Sequence, residues 1–196
     1  MIRSGTLAVA LSVVAAGPAL AHPPPLGFTG FAGGVLHPYF VPAHLLAITG
    51  LGILIGQQAP QWGRAVPTGF VAALVVGFGF LMLAFVPRYA GEAVLMAALI
   101  AGVLAAWQRS LPEPVGCALA TAIGLAVALD SPPWSISVTE ANLMLLGTGL
   151  GAAVLLLAVS FCASRLTRPW NRIGLRVLGS WIAASAVLVL ALQFAR

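Results

Sequence analysis

The sequence predicts an all-α protein, a polytopic transmembrane bundle of six spans behind an N-terminal signal segment. Three observations predict it. Of the 196 residues, 61% are hydrophobic and only 7% are charged. A soluble domain carries about 25% charged residues, so this chain cannot cover itself with a water-facing surface. Six apolar runs follow one another with short polar connections between them. The basic residues are nine arginines with no lysine, and they gather in alternate connections, as they do in membrane proteins of fixed orientation.

Residues 1–21 have the layout of a secretory signal. Arg3 supplies the positive start, Leu7 to Ala16 the apolar centre, Gly17-Pro18 the break and Ala19-Leu20-Ala21 the small-residue cleavage site. Residues 22–196 form the expected six-helix transmembrane domain. Cleavage after Ala21 makes His22 the amino terminus, where its amine and ring can chelate copper or nickel together; the plainer alternative is an exposed residue left beside the cut. His22-Pro23-Pro24-Pro25 is stiff and extended.

The apolar runs are Phe28–Gly56, Val66–Val86, Glu92–Trp107, Val115–Leu129, Ala141–Ala163 and Ile173–Phe194. A spanning helix needs about 20 residues. The first run is longer than that, which suits a tilt or a kink at Pro38 and Pro42. The third and fourth are shorter and need their flanks. A signal segment places the mature N-terminus outside. The inner connections then hold Arg64, Arg109, Arg165, Arg168 and Arg172, with Arg176 at the edge of the last span. Arg88, Arg196, Asp130 and Glu140 fall outside. This is the arrangement of an integral protein of a bacterial inner membrane, with its mature N-terminus on the periplasmic side. Its first partner is the lipid bilayer, and the arginines serve orientation rather than nucleic acid. Trp62, Trp107, Trp134 and Trp170 stand near span ends as interface anchors, while Trp181 lies within the last span as a packing residue. Cys117 and Cys162 are expected to be buried free thiols, since their spacing matches no disulfide or metal motif.

Chemistry concentrates in His37-Pro38-Tyr39-Phe40-Val41-Pro42-Ala43-His44. Two of the chain's three histidines and two prolines fall in this stretch of an apolar run. An ionisable group inside a span is costly and marks a functional candidate. In a straight helix His37 and His44 share a face but stand about 10 Å apart along the axis. Ligand bonds to a metal are about 2.0–2.1 Å, so one ion cannot take both rings in that geometry. Either the prolines open the helix and bring the rings together, or the rings serve successive stations. The plain alternative is a neutral histidine bonded to a neighbouring helix. Glu92 opens the third run, as a cation ligand or as an acid favoured by the positive end of its helix. In the fourth run only Cys117 and Thr121 offer donors. Asn142 and Thr148 in the fifth suit a polar path or interhelical hydrogen bonds. No glycine loop on a strand–helix unit and no nucleophile with a base is present, so the sequence describes no enzyme.

Gly27-Phe28-Thr29-Gly30-Phe31-Ala32-Gly33-Gly34, followed by His37-Pro38 and His44-Leu45-Leu46-Ala47, resembles the HupE/UreJ family of hydrogenase- and urease-associated membrane proteins. In that family a signal peptide and a glycine-rich lead precede a motif His-Pro-x-x-Gly-x-Asp-His. Val41 stands here at the motif glycine and Ala43 at the aspartate. The resemblance in layout covers most of the chain. The family's His-Gly-x-x-His-Gly type motif of the fourth span has no histidine in Val115–Gly124. The resemblance implies binding or transport of a divalent transition metal, nickel or cobalt, by His22, His37 and His44 with Glu92 assisting. Copper stays open, because the surviving donors are nitrogens and copper(II) binds such sites tightly. The departures leave a second reading: a relative that kept the bundle, lost the transport site and serves as a structural or accessory subunit of a membrane complex.

Overall fold

A computed structural model of the chain describes residues 28–59, 61–85, 87–133 and 137–195. The signal segment 1–21 and His22 lie outside the described residues. The described residues form seven helices and no strand: α1 Gly30–Phe40, α2 Pro42–Gln58, α3 Ala65–Met82, α4 Ala90–Trp107, α5 Glu113–Leu129, α6 Val138–Arg165 and α7 Pro169–Phe194. Every apolar run contains a helix, the first contains two, and the second leaves its helix at Met82. By length and composition α3, α4, α6 and α7 can each cross a membrane. The bent pair α1–α2 makes a fifth candidate span, while α5 is a shorter apolar helix of 17 residues. So of the two runs expected to be short, only the fourth falls below spanning length.

Proline sets several of these boundaries. It lies at the start of α2, α5 and α7, where its missing N–H would have no helical partner and its fixed φ suits the first turn. α6 instead opens on Ser137, whose hydroxyl accepts from the Glu140 amide at 3.2 Å. Pro42 has the largest effect. The residue before a proline is driven out of the helical region, and Val41 is extended, with φ −90° and ψ 108°. The axes of α1 and α2 meet there at 71°.

α2 is the central helix. Ala47, Ile48, Leu51 and Leu54 are wholly buried, and α2 packs against α1, α4, α5, α6 and α7. The other main pairings are α1 with α6, α3 with α5 and α4 with α7. Between lipid-embedded helices there is little hydrophobic gain, so close packing of small residues holds them together. A Cβ on Gly147 or Gly151 of α6 would run into the α1 backbone at Phe31 or Val35. A Cβ on Gly102 of α4 would come within 2.7 Å of the Gly179 carbonyl of α7.

Three expectations need correction. Trp62 is no interface anchor: it is 1% exposed and donates its indole N–H to the Leu111 carbonyl at 2.9 Å. Trp181 does not pack inside, being 68% exposed on the outer helix α7. Cys162 is exposed and Cys117 half-buried; both are free thiols, but neither is sealed in the core.

Candidate functional site

Four helix ends converge where the first run breaks. His37 lies in the last turn of α1 and His44 in the first turn of α2. Because α2 leaves at 71°, the two rings do not stand about 10 Å apart as on a straight helix. Their centroids are 5.2 Å apart, edge to face at 64°. Of the two geometries open from the sequence, the break produces the one that brings the rings together.

The third member is Asp130, at the C-terminal end of α5. Its Oδ2 lies 2.9 Å from His44 Nε2. A carboxylate is disfavoured at a helix C-terminus by the negative end of the macrodipole, so this position needs compensation, and two sources supply it. His44 donates to the acid. The first turn of α4 also lies alongside, where helix partial charge is positive. Gly91 permits that approach, since a Cβ there would stand 3.3 Å from Asp130 Oδ1. The acid's own backbone is fixed by Asp130 N–H to the Ala126 carbonyl at 2.9 Å. Next to it, buried Ser131 donates its hydroxyl to the Val127 carbonyl at 2.7 Å.

The pair is asymmetric. The His44 side chain is wholly buried, and that of Asp130 is 28% exposed. An ionised carboxylate can only accept, so Nε2 carries the proton and a neutral His44 keeps its lone pair on Nδ1. That nitrogen is buried with no hydrogen-bond partner. A carboxylate that fixes the tautomer and orientation of a histidine in this way is the usual support of a metal-ligating imidazole. The donor types, imidazole nitrogen and carboxylate oxygen, suit borderline divalent ions.

Glu92 lies in the first turn of α4 and is half-buried. Among the described residues, no three His, Cys, Asp or Glu side chains group closely enough to hold an ion by themselves, so Glu92 does not join the histidines in such a cluster. Thr148 is buried and bonds its own helix, to the Met144 carbonyl at 3.0 Å. Asn142 and Thr121 are exposed.

An all-helical chain with four or five candidate spans and an imidazole–carboxylate pair buried at a broken helix is an integral membrane protein with a polar site set into its bundle. The family model for the HupE / UreJ protein matches residues 9–189. The chain belongs to the HupE/UreJ family, which places it among metal-related accessory membrane proteins. No curated protein and no solved structure matches the chain.

Proposed function

We propose that this protein binds or transports a divalent transition metal at the break between α1 and α2. Nickel or cobalt is the cargo by family, with copper the competing ion on donor chemistry. The observation that carries the reading is the buried His44, held by Asp130 through Nε2 with Nδ1 unpartnered, beside the His37 ring. His37 and His44 handle the ion, Asp130 orients His44, and His22 and Glu92 assist. The proposed topology has six spans, with α5 as the sixth and the mature N-terminus outside, so the histidines lie at the outer end.

The test is metal content and binding of the purified, detergent-extracted protein, together with uptake by cells expressing it. His37→Ala and His44→Ala should each lower both. Unchanged binding and uptake in both variants would remove the proposal. A structural or accessory role is favoured by one observation, the absence among the described residues of a complete ligand set. On that reading His44→Ala lowers thermal stability with no metal phenotype.

A further inference from the structure

At the far end of α2 from His44 lies a cavity of about 410 Å³, formed where the ends of α2, α4 and α6 meet the start of α7. Arg109 and Arg172 line it with Gln57, Gln58, Gln108 and Thr167, and no acidic residue is among its walls. We propose that this cavity binds a phosphate-bearing anion through the guanidinium groups of Arg109 and Arg172.

Two amides of the lining hold the backbone of the two arginines. Gln58, only 6% exposed, donates to the Arg109 carbonyl at 2.7 Å and accepts from the Leu111 amide at 3.2 Å. Gln108 donates to the Arg172 carbonyl at 2.9 Å. It does so from a left-handed backbone, φ 53°, that ends α4; few residues other than glycine adopt that conformation without cost. Gln57 donates to the Ala105 carbonyl at 3.1 Å. Three glutamines thus brace one wall, Gln57 Oε1 is a buried acceptor without a partner, and the charged side chains of the lining are the two arginines. Among the described residues the single ion pair is His44–Asp130, at the other end of the bundle, so neither arginine is neutralised by a carboxylate.

Guanidinium presents a planar fork that matches phosphate geometry, and charge-assisted bonds of that kind are about twice as strong as neutral ones. Depth points the same way. The Arg109 guanidinium lies 5.9 Å from the centre of the Trp107 ring, and Trp107 is 59% exposed at the end of a spanning helix. Exposed tryptophans at span ends sit at headgroup level. The shared chemistry is a phosphate group, supplied by an acidic phospholipid headgroup or by a soluble phosphate.

The experiment uses the full chain. Native mass spectrometry on protein drawn from phosphatidylglycerol–phosphatidylcholine nanodiscs reads retained lipid, and inorganic phosphate is titrated against detergent-solubilised protein in a thermal-shift assay. Preferential retention of phosphatidylglycerol, lowered at least fivefold in Arg109→Gln/Arg172→Gln and unchanged in Arg88→Gln, identifies the headgroup. Stabilisation by phosphate that disappears in the double variant identifies a soluble anion. Equal retention of both lipids by the wild type with no phosphate effect overturns the proposal, whatever the variants do. So does phosphatidylglycerol retention that the double variant leaves intact.

Discussion

The two ends of α2 are built from opposite chemistry on one continuous helix. At its start the chain is broken, two imidazoles meet, and a carboxylate from α5 bonds the buried one. At its finish Gln57 and Gln58 bond to backbone carbonyls of the α4 end, and two arginines line the adjoining cavity. Between them runs an uncharged stretch containing Ile48, Leu51 and Leu54, all at 0% exposure. The difference teaches where each charge can exist. Nitrogen lone pairs and a carboxylate receive cations; guanidinium groups receive anions. A middle without charged side chains keeps the two ends electrically separate.

The comparison can be broken from either side. The largest effect is expected at the His44 pair. Asp130→Ala leaves Nε2 buried without an acceptor, which should cost about 3 kcal/mol in detergent unfolding. Loss of such a supporting carboxylate typically lowers metal affinity about 10–100-fold, readable by calorimetry. Replacing both partners in His44→Leu/Asp130→Leu should recover much of the stability but none of the affinity, because removing both polar groups together can be nearly neutral. Next comes Gly151→Leu, which forces α1 away from α6 at Val35. Overpacking of this kind costs about 1–3 kcal/mol, and metal binding should weaken while phosphate binding at the other end does not change.

Gln58→Leu acts on the opposite end alone. It strips a donor from the Arg109 carbonyl and an acceptor from the Leu111 amide, for about 1–2 kcal/mol. Anion retention should fall with metal affinity untouched. The smallest change is Glu92→Gln. A charge in the first turn of a helix is worth about 0.3–1 kcal/mol, and an assisting ligand adds a modest drop in affinity. A stability change without any affinity change would assign Glu92 to the helix dipole alone.

The helices were legible because apolar runs in this chain are long and their interruptions are strong. Each of the six runs contains a helix, and Pro42 announces the break that Val41 executes. The site was legible only in part. His37 and His44 stand out as rare polar residues in an apolar run, and their approach follows from the prolines between them. In the sequence Asp130 stands only as a charge on the outer side of the membrane, since its partner lies 86 positions away and pairing at that distance leaves no periodicity. Its one signal is composition: it is the only aspartate in the chain, placed at the end of an apolar run. Trp62 misled for a related reason. A tryptophan near a span end resembles an anchor until the neighbouring connection supplies the Leu111 carbonyl to receive its indole. The arginine cavity has no linear signature either, because the 109 and 172 positions meet only when α4 and α7 pack.

α6 runs unbroken for 28 residues, about 42 Å at the helical rise, and touches both limbs of the elbow. Gly147 and Gly151 lie against α1, while α2 lays Gly52 and Gly56 against Val159 and Ala163. Two beams and a strut make a truss, and a truss does not fold at its corner. The proline joint is therefore a fixed angle in the resting protein, and any stroke that parts the imidazoles must first unseat glycines from the strut.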